Sequence, residues 1–251
     1  WLICRLPFVL ALLGASIGLY IRLFIPESLE YLIYYTDNPK PKFSGIWHDA
    51  MQYIRLNKLK ALYVFLLSLL GVTSTFQFYI YAPIQANLAA HFTEQQIFIS
   101  NIVSLIVLLC TFPIIGKLSD KINREKIIIA ASIGFLCLAH PYFHFLSHGK
   151  YSGLILMQCL ISIPAGAYYA TVPAMLAEMF PLNLRCTVLS VLYSTAASLA
   201  AGLTPLFSFI LFRNGEGSVS PAVLIVYLVV SCLSVMWLRR VRQAKRNLVF
   251  N

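Results

Sequence analysis

Long apolar stretches separated by short polar connections dominate this chain. Seven of them approach the ~20 residues that an α-helix needs to cross the hydrocarbon core of a bilayer. They lie at Leu6–Ile25, Ala61–Pro83, Ile97–Ile115, Ile127–Leu146, Gly153–Met175, Val188–Phe212 and Val219–Leu238. The pattern predicts seven transmembrane helices in an all-α, polytopic membrane protein.

Basic residues are concentrated on one side of the predicted spans. If successive connections lie on alternate sides, all of the 19 Lys and Arg except Arg5, Lys150 and Arg213 fall on one side. In helical membrane proteins, the side rich in Lys and Arg is cytoplasmic. We therefore expect the amino end outside the cell and the basic tail at Arg239–Arg246 in the cytoplasm.

The composition excludes several classes of protein. Hydrophobic residues make up 59% of the chain and charged residues 11%, whereas a soluble domain has about 25% charged residues. The net charge of +10 does not indicate nucleic-acid binding, because the charges lie in loops and at helix ends, where anionic lipid headgroups explain them. None of the six cysteines forms a CxxC pair, so neither a disulfide framework nor a metal site is expected.

The polar segment between the first two spans is the candidate domain boundary. Its prolines predict an extended linker over 36–42. Apolar residues then recur at helical spacing from Phe43 to Ile54, opposite a polar face, which predicts an amphipathic helix. This helix either lies at the membrane interface or packs on the rest of the protein. The predicted organisation is one span (1–26), a linker (27–60), six spans (61–238) and a basic tail (239–251).

The predicted spans hold uncharged polar groups but almost no ionisable ones. No nucleophile motif, phosphate loop or HExxH sequence occurs, so no enzyme activity and no cofactor are expected. His140 and His144 lie one turn apart without a third ligand, which favours a structural role over a metal site. Polar groups at membrane depth either line a cavity or pair between helices. The candidates for lining a cavity are Gln77, Tyr81, Asn101, Tyr168 and Tyr193.

Two loops on the basic side carry the sharpest local features. In the first, Gly116–Lys126, Gly116 permits a close turn, and Asp120 is placed to accept from Arg124 or from a helix N-terminus. In the second, Glu178 ends one helix and Arg185 precedes the next, so the two are expected to form a bridge across the turn. The alternative is that both loops are solvated and carry only charges that set the topology.

Taken together, these loops resemble those of the major facilitator superfamily. GKLSDKINREK at 116–126 is similar to the pattern G-x-L-S-D-R-x-G-R-R/K, with Lys121 in place of Arg and Asn123 in place of Gly. AEMFPLNLRCT at 177–187 is similar to A-E-L-F-P-x-x-x-R-x-T. The metabolite:proton symporters, which include proline/betaine and dicarboxylate carriers, resemble the chain most. Sugar porters come second, because they share the Pro26-Glu27-Ser28 and E-x-F-P-x-x-x-R elements.

The resemblance implies a fold of twelve helices in two bundles, of which this chain carries helices six to twelve. The solute cavity then lies between the bundles, and alternating access rocks one bundle against the other. The resemblance also implies a gate in which the Asp120 loop latches against the first bundle, whose first five helices are absent from the sequence. The candidate gate residues are Gly116, Asp120, Arg124, Glu178 and Arg185.

The function implied by the resemblance is secondary active transport, by proton symport, of a small polar metabolite such as a compatible solute or an organic acid. The expected location is a bacterial inner membrane. The expected partners are the solute, protons, the lipid bilayer and the first bundle, and nucleic acid is not among them. Two alternatives stay open at this point. The chain is a truncated remnant that transports nothing, or it belongs to a carrier of the sugar-porter type.

Overall fold

The computed structural model describes residues 2–26, 29–37, 43–90, 92–148 and 150–213. Within these ranges all regular structure is helical. The linker residues 38–42, the seventh predicted span at Val219–Leu238 and the basic tail lie outside the described residues. The chain divides into two compact units, Trp1–Gly45 and Ile46–Asn251.

The first unit contains two helices, α1 (Leu2–Phe24) and α2 (Leu29–Asp37). The predicted first span is therefore helical, and the described apolar side chains of α1 are exposed within the unit. Helix α2 corrects the prediction of an extended linker from residue 36. Thr36 lies in α2 and its Oγ1 donates to the Leu32 carbonyl over 2.8 Å. The Thr36 hydroxyl bonds back to residue i−4, as Ser and Thr do inside helices, so this residue is helical and not extended.

The amphipathic helix predicted after the linker is α3 (Phe43–Leu56). Ala50 is fully buried, and Ile46, Tyr53 and Ile54 pack against the core of the second unit. His48 and Asp49 are exposed. Of the two alternatives for this helix, the structure shows that its apolar face packs on the rest of the protein.

Two aromatic rings join α3 to the turn Met179–Pro181. This turn lies at the end of the bundle where the Lys- and Arg-rich connections lie, called the basic end below. Tyr53 meets Phe180 edge to face, with ring centroids 6.0 Å apart. Lys60 Nζ lies 5.7 Å from the Tyr53 centroid and 5.2 Å from the Phe180 centroid, and it donates to Tyr53 Oη over 3.2 Å. The ammonium over two ring faces adds a cation–π attraction to the apolar contact.

The remainder of the second unit is a bundle of long helices. They are α4 (Lys58–Thr75), a π-helical segment (Phe76–Tyr81), α5 (Ala82–Ala90), α6 (Glu94–Lys121), α7 (Arg124–His148), α8 (Tyr151–Glu178) and α9 (Leu182–Arg213). Among the described residues, five stretches are long and apolar enough to cross a membrane: Lys58–Asn87, Glu94–Lys121, Arg124–Leu146, Tyr151–Glu178 and Leu182–Phe207. These stretches contain the second to fifth predicted spans and most of the sixth.

The turns at the basic end are shorter than the sequence predicted. Gly116 lies inside α6, and the turn before α7 consists of Ile122 and Asn123. The turn between α8 and α9 is Met179–Pro181. The close turn predicted at Gly116 is therefore wrong. Hydropathy marks only the part of a helix that lies in lipid, and here the polar residues beyond it continue the helix.

Helix α8 is the centre of the bundle, with α6 and α7 packed along it, while α4 packs on α9 and α5 packs on α7. The α6–α8 contact is tight at Gly166, where a Cβ atom would lie 2.7 Å from Thr111 Cβ and Cγ2. Only glycine permits this backbone approach, as is common where helices pack in lipid.

Candidate functional site

The span that begins at Lys58 is interrupted by the π segment, and the interruption frees a backbone carbonyl. The N–H of Ala82 donates to the Gln77 carbonyl, five residues back, instead of to Phe78. Pro83 has no N–H, so neither an α-helical nor a π-helical donor reaches the Phe78 carbonyl. Tyr142 Oη of α7 donates to it over 3.3 Å.

The next carbonyl in the segment, that of Tyr79, lacks an α-helical donor, because that donor would be the N–H of Pro83. Asn101 Nδ2 of α6 donates to it over 3.5 Å. Tyr79 Oη in turn shares a hydrogen bond of 2.8 Å with Ser162 Oγ of α8. The π segment is thus bonded to three neighbouring helices, and π turns of this kind are frequent at functional sites.

A cavity of about 300 Å³ lies between α4, α8 and α9. Its described lining is mostly apolar, with hydroxyl groups of tyrosine and serine and no Asp, Glu, Lys, Arg or His. The lining residues are Leu67, Ser68, Gly71, Val72, Tyr168, Tyr169, Val172, Pro173, Leu176, Leu189, Ser190 and Tyr193. A mostly apolar cavity with a few polar groups is typical of a small-molecule site.

Hydrogen bonds fix the tyrosines of this cavity. Tyr168 Oη donates to the Leu67 carbonyl over 2.6 Å. Tyr169 Oη bonds to Thr75 Oγ1 and to the Gly71 carbonyl. The approach to Gly71 is tight, because a Cβ atom there would lie 3.1 Å from Tyr168 Cε1 and the ring would have to shift slightly. The two tyrosines therefore hold α8 close to α4 and form a rigid wall of the cavity.

The structure brings together only part of the predicted lining set. Tyr168 and Tyr193 line the cavity, whereas Gln77, Tyr81 and Asn101 are not among its described lining residues. Sequence reasoning did not select Ser68, Tyr169 and Ser190 as lining residues. Helical spacing is the signal that finds them, because residues three or four positions apart share a face: Ser68 with Gly71 and Val72, Tyr169 with Val172 and Pro173, and Ser190 with Tyr193.

A second, polar cleft of about 540 Å³ lies at the basic end, lined by residues 119–125, Met175 and Glu178. Arg124, the first residue of α7, forms an ion pair with Glu178, the last residue of α8. Asn123 Oδ1 caps α7 by accepting from the Glu125 N–H over 3.1 Å. Asp120 lies in the last turn of α6 and lines the same cleft.

The bridge predicted between Glu178 and Arg185 is not formed. Glu178 pairs with Arg124 instead, and Arg185 Nε donates to the Phe180 carbonyl over 3.4 Å. Gly116, four residues before Asp120, is part of α6 and contributes no turn. Of the five candidate gate residues, the structure therefore brings Asp120, Arg124 and Glu178 to one cleft and leaves Gly116 and Arg185 outside its described lining.

No group of three or more His, Cys, Asp and Glu suited to a metal ion occurs among the described residues. His140 and His144 lie on α7 with exposed side chains. The His144 ring meets Phe145 edge to face, with centroids 6.0 Å apart.

Comparison with known proteins identifies similar sequences. The family model of the Major Facilitator Superfamily matches residues 64–249. The chain is 26% identical over 238 residues to a proline/betaine transporter of Salmonella typhimurium, an alignment that covers 87% of this chain and 44% of that protein. It is 25% identical over 244 residues to the glycine betaine/proline/ectoine/pipecolic acid transporter OusA of Dickeya dadantii, covering 94% of this chain and 48% of the relative.

These matches confirm the predicted resemblance to proline/betaine transporters of the superfamily. The chain spans about half the length of the relatives it matches. The cavity residues from Leu67 to Tyr193 and the cleft at the basic end all lie within the residues that the family model matches.

Proposed function

Because the chain belongs to the Major Facilitator Superfamily, we propose that it forms one part of a secondary active transporter of small polar metabolites. The match over residues 64–249 is the observation that carries this proposal. The names of the relatives suggest compatible solutes such as betaine and proline. Transport belongs to the complete carrier, to which a first bundle contributes the other side of the solute path.

The cavity between α4, α8 and α9 is the proposed contribution of this chain to the solute site. Tyr168, Tyr169 and Tyr193 present aromatic rings and hydroxyl groups to it. Aromatic rings attract quaternary and secondary ammonium groups by cation–π interaction, more strongly where water is excluded. The described lining contains no cation for a carboxylate, so the partner of the solute carboxylate lies elsewhere in the carrier.

The cleft at the basic end is the proposed gate. Asp120 is exposed in the cleft beside the Arg124–Glu178 pair, so it is available to a group on the first bundle. Gly116 precedes the lining residues of the cleft in sequence and Arg185 follows them, and both remain part of the proposed gate. We further propose proton symport as the coupling mechanism, the bacterial inner membrane as the location, and a cytoplasmic position for the basic end.

The experiment joins this chain to the first five helices of the Salmonella typhimurium proline/betaine transporter. Uptake of radiolabelled glycine betaine and proline is measured in cells that lack their own carriers. The proposal expects accumulation that a protonophore abolishes. Asp120→Ala should lower uptake at unchanged membrane insertion, with Asp49→Ala, an exposed aspartate on α3, as the control.

The competing interpretation is that this chain is a transport-inactive remnant of such a carrier. Uptake by the chimera at the level of empty cells, despite normal insertion, supports the remnant. Normal uptake by the Asp120→Ala variant would show that Asp120 does not act as a gate, while the transporter proposal would stand.

A further inference from the structure

A layer of uncharged polar side chains crosses the interior of the bundle away from the cavity and the cleft. It consists of Gln85 of α5, Asn101 of α6, Tyr142 of α7 and Gln158 of α8. Gln85, Tyr142 and Gln158 are almost completely buried, with 1–2% of their surface exposed. Four successive helices each contribute one member.

All four residues stand at similar distances along their helices from the end opposite the basic one. Asn101 and Gln158 each stand seven positions after the first residue of their helix, and Gln85 and Tyr142 stand five and six positions before the last. At 1.5 Å per residue, each is about 8–11 Å from the end opposite the basic one. The α5–α6 and α7–α8 connections both lie at that end.

Hydrogen bonds tie the layer to the π segment. Tyr142 donates to the Phe78 carbonyl, and Asn101 donates to the Tyr79 carbonyl. The Gln158 amide lies beside the Tyr142 hydroxyl, but no hydrogen bond of good geometry joins it to a described residue. Three members of the layer therefore surround one short stretch of irregular helix.

The amides of the layer have unused hydrogen-bonding capacity. Both amide atoms of Gln85, both amide atoms of Gln158 and Oδ1 of Asn101 are buried without a hydrogen-bond partner among the described residues. Each buried polar group left unsatisfied loses the hydrogen bonds that it makes with water in the unfolded chain, and nothing repays that loss. A tightly packed bundle does not accumulate such groups at one depth without a compensating partner.

We propose that this layer is a binding site for a small cluster of water molecules, held by Gln85, Asn101 and Gln158 against the π segment. The unused atoms include two N–H₂ donors as well as three acceptor oxygens. A cation would satisfy only the oxygens and would face the amide hydrogens unfavourably, whereas water donates and accepts. Buried water typically makes two to four hydrogen bonds, which these groups supply.

The consequence is a solvated bend inside an otherwise apolar bundle. Water bonded to the amides leaves Tyr142 and Asn101 free to satisfy the carbonyls that the π segment exposes. The inference does not depend on the proposed transport activity, because it concerns the interior of the bundle and not the solute path.

X-ray radiolytic labelling of the 251-residue chain in phospholipid nanodiscs tests the inference. Bound water forms hydroxyl radicals in place, so buried side chains that touch it become oxidised. We expect Tyr142 and Tyr79 to be labelled severalfold more than Phe135, after correction for intrinsic reactivity. Phe135 is fully buried and lies about 10 Å along α7 from Tyr142. Labelling of Tyr142 at the level of Phe135 overturns the proposal.

Two further measurements distinguish bound water from a bound cation. Gln158→Leu should reduce the labelling of Tyr142 to the level of Phe135, while Gln52→Leu, the same change at an exposed position of α3, should not. Tyr142 labelling should also be equal in sodium, potassium and choline chloride. A fall specific to sodium or potassium overturns the proposal in favour of a cation site.

Discussion

Arg124 at the start of α7 forms an ion pair with Glu178 at the end of α8. The two residues lie 54 positions apart in sequence, so the pair exists only because α7 packs along α8. It fastens together the two turns at the basic end, one before Arg124 and one after Glu178. The gate proposed there is therefore a tertiary contact and not a feature of either loop alone.

A double-mutant cycle measures this contact. Arg124→Gln and Glu178→Gln should each change the free energy of unfolding little, and their coupling energy should be about 0.2–1 kcal/mol, because the pair is partly exposed to solvent. The measurement is unfolding in detergent, followed with a thiol-reactive dye. Asp120→Asn combined with Arg124→Gln is the control. A coupling for Asp120 as large as that for Glu178 would mean that the pairing is assigned incorrectly.

Replacing Gly166 by alanine should destabilise the bundle. The new Cβ atom would lie 2.7 Å from two carbon atoms of Thr111, and overpacking of this kind costs about 1–3 kcal/mol. Gly202→Ala on α9 is the matched control, since nothing lies within 4 Å of its Cβ position. There, alanine should be neutral or stabilise the helix by up to about 1 kcal/mol. Equal stability of the two variants would contradict the tight α6–α8 contact.

Tyr53→Ala should loosen α3. The edge-to-face contact with Phe180 contributes about 0.5–1.5 kcal/mol, so amide hydrogen exchange across residues 46–56 should accelerate about 2- to 10-fold. Trp47→Ala serves as the control, because Trp47 is on the same helix and 48% exposed. If the two variants exchange at the same rate, the aromatic contact does not hold α3.

A cysteine placed in the cavity should react with water-soluble reagents. In a background without the six native cysteines, Ser190→Cys should react severalfold faster with a maleimide than Ser132→Cys. Ser190 lines the cavity, whereas Ser132 is fully buried on α7. Comparable rates would show that the cavity is closed to water.

Within the described residues, the sequence predicts the five long apolar helices of the second unit, because each transmembrane helix must satisfy its backbone within a continuous apolar stretch. It predicts the turns poorly: Gly116 to Lys121 is polar enough to suggest a loop yet continues α6. Local spacing suggested Arg185 as the partner of Glu178, but the real partner, Arg124, is set by the packing of α7 on α8. The π segment leaves no trace in hydropathy, because its residues are as apolar as those of an α-helix.

The π segment gives one membrane span two different orientations. A π turn takes in one residue more than an α turn, so everything beyond the segment lies about 100° short of the orientation that a continuous α-helix of the same residues would give. The first half of the span packs on α9, and the second half packs on α7. Loss of one residue between Phe76 and Tyr81 would restore the α-helical pitch there and keep the buried face of α5 towards α7, whereas a loss elsewhere in the span would turn that face away.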